Sequence, residues 1–398
     1  MVSYRRLAMR VLGHVPVPFR KKKASPPPRV AAQRIAALAL ACAMMTGMAL
    51  PAFAATYDIS KGSIDIHATE NGQSISQWLW RNENHTEYAS DSDGYIQDRP
   101  DNDITITGTS TGNTVSIKAE EDQTAKVTLD NVEINASSTG KAAVDVTGSG
   151  NTNIELNGDN TLTGGNWYAG LQHNKETDAE GNETSGKLTI TDTDGNGSLC
   201  ATGNYGGAGI GGGNIKDAGK IEITGGSITA TGGLDGAGIG GGGAGGDADI
   251  TISGGTINAI GGTDPSEQPG AIGGAGIGSG GSGGDATTVT ITGGAVIENA
   301  SGGGGCAGIG GGYSSKSDVT ISGNATIETV TGGYHRSPPS PPCAFWIVAL
   351  SLMITVPVAV GKGTVIIDGN TTDGKVTINH AQGGDEGAGI GGDKRCRC

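Results

Sequence analysis

Aromatic residues make up only 4% of this 398-residue chain, which excludes a conventional core built on large rings. Arginine is absent from Ile104 to Gly333, and His173 is the single histidine there. That long stretch therefore offers no guanidinium fork for clamping carboxylates or phosphates. Cysteine is scarce too: of six, Cys42 lies in an apolar leader and Cys343, Cys396 and Cys398 in irregular stretches. Cys200 and Cys306 remain, far apart, so neither a disulfide framework nor a zinc spacing is present. Helical periodicity is also missing. Basic charge is low, with 26 Lys and Arg against 40 Asp and Glu. Such a chain repels nucleic acid and anionic membranes and attracts divalent cations.

The basic residues are unevenly placed. Residues 1–54 carry nine of them and no acid, with the cluster Arg20–Lys23 ahead of the apolar run Ile35–Leu50 and the small-residue motif Ala52-Phe53-Ala54. This reads as a secretory signal with an extended basic region, cut before Ala55. Removing it leaves 17 basic residues against 40 acidic, a net charge of −23. The expected location is secreted or at the cell surface.

What is abundant is glycine, 74 residues, and it is periodic. AGIG begins at Ala208, Ala237, Ala275, Ala307 and Ala388, with a fainter AGLQ at Ala169. Between copies run five-residue segments of strict alternation. KIEIT sets Ile221 and Ile223 on one face, SITAT sets Ile228 and Ala230, and DITIS and TINAI repeat the pattern. One such unit cannot bury its apolar face alone, so units must stack. The expected fold is all-β, a parallel β-helix (solenoid) of short strands with Gly-rich corners, roughly three strands per AGIGGG-containing repeat. Ile210, Ile239, Ile277 and Ile309 should stand above one another inside. No helix follows any AGIGGG, so the motif is scaffold rather than a phosphate loop.

Along the chain, 55–103 is polar and Trp-containing and reads as a cap, and 104–333 as the β-helix proper. Residues 334–361 break the pattern with a Pro-rich stretch and an uncharged apolar run, Cys343–Val360, at the lower edge of membrane-spanning length. A frame slip or insertion is the favoured reading, with a true span as its rival and the only route to a membrane. The repeat resumes over 362–398.

Chemistry has few footholds. Hydrolysis of a glycosidic bond needs two carboxylates at a set separation in one cleft. The acids Asp247, Asp249, Asp285 and Asp318 come one or two per repeat, as solvated face residues do, and no catalytic residue is assigned. DTDGNG (Asp192, Asp194, Asn196) matches the start of a calcium loop but has Gly203 where the closing Glu belongs, so a tight turn is the favoured reading. GGAGGD and GGSGGD resemble calcium-roll repeats without their tandem period; Asp247 and Asp285 could bind cations singly. Aromatics able to stack on sugars are Trp78, Trp80, Tyr88, Tyr95, Trp167 and Tyr168, a hydrophobic plug in the cap being the rival for the first four. His173 is expected in a surface loop.

AGIGGG alternating with ITITGGxIxAxGG, together with LDNVEI and ELNGDNTLTGG, resembles secreted β-helical surface proteins of Gram-positive bacteria, including the carbohydrate-binding β-helix domain family. The resemblance covers residues 57–333. It implies a non-catalytic module for pectin-like or cellulosic polysaccharide, with bound calcium at residues that cannot be matched individually here. A surface adhesin with a protein partner is the alternative. Polysaccharide lyase chemistry is less favoured, because such enzymes want a strongly basic group that 104–333 lacks. Polyuronate binding would need calcium bridges at Asp192, Asp194, Asp247, Asp249, Asp285 or Asp318.

Overall fold

A computed structural model describes residues 55–78, 96–244, 246–263, 273–281, 286–313, 315–333, 346–347, 356–357, 365–368, 376–382 and 390–391. The chain divides into Met1–Pro51, outside the described residues, and Ala52–Cys398. The leader, Trp80, Tyr88, Tyr95 and Asp285 lie outside the described residues.

The described residues are almost wholly β, with one short 3-10 turn at Ile59–Lys61 and no α-helix. Strands pair mainly in parallel, each with the equivalent strand of the next repeat. Lys220–Ile223 pairs with Asp249–Ile252, which pairs with Thr287–Ile291 and then Ser317–Ser322. Ser227–Thr231, Thr256–Ile260, Val296–Ser301 and Thr326–Thr331 form a second series. The two-residue strands at AGIG form a third, matching Ile210 to Ile239, Ile277 and Ile309. The register follows from period-two alternation, because a one-residue slip would turn every buried Ile to solvent. Ile221, Ile223, Ile228, Ile250, Ile252 and Ile257 are all at most 2% exposed. Identical residues therefore stack on themselves, and burying each Ile contributes about 1.5–3 kcal/mol.

Glycine is required where rungs touch. Gly240 has φ +133°, and a Cβ there would lie 1.9 Å from the Gly278 carbonyl oxygen. The next repeat's backbone fills the space a side chain would need.

The parallel ladders start at Ala55, ahead of Ile104. Ala55–Asp58 pairs with Ile104–Ser110, and Ile64–Thr69 with Val115–Ala119. The antiparallel strands Gly72–Gln77 and Ile96–Pro100 follow at the edge. There the Gln73 amide donates to the Lys126 and Asp101 carbonyls and its Oε1 accepts from Lys126 N–H, while Gln77 donates to the Asp58 and Gly62 carbonyls. Buried amides satisfy backbone groups that would otherwise be left unpaired. Beside them the Tyr57 hydroxyl, hydrogen-bonded to Asp101 and Arg99, has its pKa pushed up to about 12, chiefly by burial.

After Thr326–Thr331 the next rung comes from Val365–Asp368, Thr377–Gln382 and Ile390–Gly391. Of the apolar run Cys343–Val360, only Trp346–Ile347 and Val356–Pro357 are described, paired antiparallel. Among the described residues no helix is long and apolar enough to cross a membrane.

Candidate functional site

The ladder that carries AGIG also carries residues that line a groove. Ile64–Thr69, Val115–Ala119, Val144–Thr147 and Leu171–His173 lie side by side in parallel. Ile64, Ile66, Val115, Ile117, Val144 and Val146 are buried, so alternation turns Asp65, Ser116 and Asp145 outward. These three stand in one register row, Asp65 opposite Ser116 and Ser116 opposite Asp145.

Above this row lies a groove of about 620 Å³, lined by Asp65, Ser116 and Asp145 together with Lys141, Trp78 and Tyr168. Trp78 follows the antiparallel strand and is exposed; Tyr168 sits just ahead of the AGLQ corner and is half-buried. Two of the aromatics expected to meet sugar, 90 residues apart, thus share one depression. The acids beneath them were not singled out from sequence, since only strand register brings residues 65 and 145 together.

Asp145 is half-buried, and its Oδ1 accepts a 3.0 Å hydrogen bond from Gln172 Nε2. Burial raises its pKa above the ordinary carboxylate value, the Gln172 bond opposing. His173, expected in a surface loop, is instead 1% exposed. It ends the strand Leu171–His173 and packs with Nε2 2.9 Å from the Gly186 carbonyl and Nδ1 3.3 Å from that of Val146. The surface loop begins only after it, where Asp178 accepts from Asn182 and Glu180 and is held below its ordinary pKa by those bonds. Burial lowers the pKa of His173, so the neutral imidazole is favoured.

Next to Tyr168, Trp167 stacks on Tyr205 with ring centroids 4.8 Å apart and planes inclined by 29°. Trp167 is 53% exposed and Tyr205 46%, with φ of +76° and +48°. Two bulky residues in the left-handed region cost backbone energy, and here the cost is associated with holding paired rings in solvent. Ile215, also exposed and at φ +58°, follows Asn214, whose N–H donates to the Trp167 carbonyl.

Among the described residues, the expected calcium residues Asp192 and Asp194 come together, while Asp247, Asp249 and Asp318 lie outside that cluster. Asp192 and Asp194 meet at the corner after Lys187–Thr191, joined by Glu155 from the neighbouring rung, with one carboxylate oxygen from each lying within 4.8 Å of the others. Glu155 could not be chosen from sequence, being 37 residues from Asp192. Asp192 accepts from the N–H groups of Gly195, Asn196 and Gly197, Asn196 Nδ2 donates to Asp194, and Glu155 accepts twice from Thr193. These bonds make the turn anticipated from DTDGNG. A cation would gain three carboxylates of the six to eight oxygens calcium takes. Asp249 and Asp318 are exposed in one outward row with Thr288 between them, and Asp247 accepts from Thr287 Oγ1. No family model, curated protein or solved structure matches the chain.

Proposed function

We infer that this chain is a secreted or cell-surface polysaccharide-binding module whose parallel ladders wind as a β-helix. The observation that carries the reading is the groove lined by both Trp78 and Tyr168, with the exposed Trp167–Tyr205 stack beginning at the residue next to Tyr168 in the chain. Sugar rings present apolar faces and peripheral hydroxyls, which suit aromatic planes beside polar groups such as Ser116 and Lys141. Asp65 and Asp145 outnumber Lys141 among the charged groups lining the groove, and the chain is acidic overall, which favours a neutral glycan, of cellulosic rather than pectin-like character.

Isothermal titration of the full chain with soluble neutral glucan and with polygalacturonate tests this. Binding of the neutral polymer, lost in Trp78→Ala and weakened in Trp167→Ala, is expected. Neutral-glycan binding untouched by both substitutions would overturn the assignment of the groove. A second reading, favoured by the convergence of Glu155, Asp192 and Asp194, is that calcium locks this corner. It predicts a melting temperature raised by calcium and reversed by chelator, an effect abolished in Asp194→Asn.

A further inference from the structure

We propose that one extended chain of β-linked neutral glycan lies across the strands, along the direction in which the rungs stack, and fills two subsites in turn, first the groove and then the Trp167–Tyr205 stack. The proposal deepens the glycan-binding reading of this face and rests on it.

Strand order sets the direction. Gly72–Gln77, Ile64–Thr69, Val115–Ala119, Val144–Thr147 and Leu171–His173 are successive neighbours in one sheet. The groove draws its lining from them in that order: Trp78 after the first, Asp65 on the second, Ser116 on the third, Lys141 and Asp145 with the fourth, and Tyr168 ahead of the fifth. It therefore crosses the strands instead of following one. Four strand spacings, about 19 Å of backbone, lie between the first strand and the fifth. From Ile64–Thr69 to Leu171–His173 the pairing carries no register shift, so the lining is not offset from rung to rung.

The ring pair lies one rung further on. Leu171 pairs with Ile210 of the next rung, and the Asn204 N–H donates to the Tyr168 carbonyl. The corner bearing Tyr205 thus lies beside the corner bearing Trp167 and Tyr168. The ring centroids of Trp167 and Tyr205, 4.8 Å apart, are separated by about one strand spacing.

A groove that crosses successive strands is longer than one sugar ring, and its polar groups recur rung by rung. A linear chain meets them in succession through its hydroxyls and offers its ring faces to the aromatics. An extended, ribbon-like chain keeps that succession, whereas a coiled α-glucan turns away from it. A chain longer than the groove then reaches the ring pair beside Tyr168. Because the groove already holds the chain, the second contact is intramolecular and adds affinity without a second association.

Titration calorimetry of the full chain with cello-oligosaccharides of two to six sugars, and with malto-oligosaccharides of the same lengths, tests this. Affinity is expected to rise with length in the cello series and to exceed that of the malto series at six sugars. Trp78→Ala should abolish binding at every length. Trp167→Ala should leave the shortest chain that binds unaffected, which also shows that the variant is folded. The same substitution should weaken the hexasaccharide roughly three- to tenfold. Equal weakening at every length, no weakening of the hexasaccharide, or malto-oligosaccharides binding as tightly would each overturn the two-subsite proposal and spare the binding reading. So would sedimentation in which the chain is dimeric and Trp167→Ala monomeric, since the stack would then meet a second copy. Failure of every oligosaccharide to bind would sink both.

Discussion

At the scale of single residues, the repeated glycines, one buried imidazole and one half-buried carboxyl set the strongest constraints. Gly240→Ala places a methyl against the Gly278 carbonyl in a left-handed backbone, and should destabilise by roughly 2 kcal/mol or more. Gly112→Ala meets nothing within 4 Å and should be nearly neutral, both read by urea denaturation. His173 gives a pH signature. Its pKa is depressed on folding below 6.5, so between the folded and unfolded values the unfolded chain binds more protons. Stability is then full above about pH 6.5 and falls as pH drops below it. His173→Gln should flatten that part of a stability–pH curve. Asp145 runs the other way, since its folded pKa lies above 3.8. The native state then holds the proton more tightly, and stability falls as pH rises through the window above 3.8. Asp145→Asn should therefore raise the melting temperature at pH 7 and leave it unchanged well below pH 3.8.

At the scale of elements, the test of register is one residue against its neighbour. Ile223 is fully buried in a column running through Ile252 and Ile291 to Ile321. Ile223→Asp sets a charge among apolar side chains and should cost several kcal/mol, on the order of 3 or more. Glu222 faces out and pairs with Lys187, so Glu222→Gln should cost about 0.5 kcal/mol, the worth of a surface ion pair. Equal losses in the two melting curves would mean that the register is shifted. These strands were legible because alternation is written locally, residue by residue, in KIEIT and SITAT, and the AGIG stacking was legible because identical residues recur. The groove was not. Trp78 and Tyr168 could be named from their chemistry, but the row joining Asp65, Ser116 and Asp145 exists only through pairing between strands 30 to 50 residues apart. Glu155 beside Asp192 was hidden for the same reason. His173 misled because its sequence neighbours Asn174 to Asn182 are polar, whereas its own position is the end of a buried strand.

At the scale of the whole molecule, charge decides which polymers can approach. The full chain carries −14, and −23 if residues 1–54 are removed, with no arginine between Ile104 and Gly333 to concentrate opposing charge. A polyuronate approaching the groove meets this field along its length, while a neutral glucan meets only the aromatic surfaces and hydrogen-bonding groups. Salt separates the two cases, because the screening length falls from roughly 30 Å at 0.01 M to about 3 Å at 1 M. Affinity for a neutral glucan should vary less than about twofold across that range. Any residual polygalacturonate binding should strengthen as salt rises, the reverse of a basic binding site, which weakens through counterion competition. Titration calorimetry at three salt concentrations, in chelator to remove bridging cations, measures both. Polygalacturonate binding that is tight at 0.01 M and weakens with added salt would show a cationic site on the chain. The polymer preference drawn from Asp65, Asp145 and the acidic field would then have to be reversed.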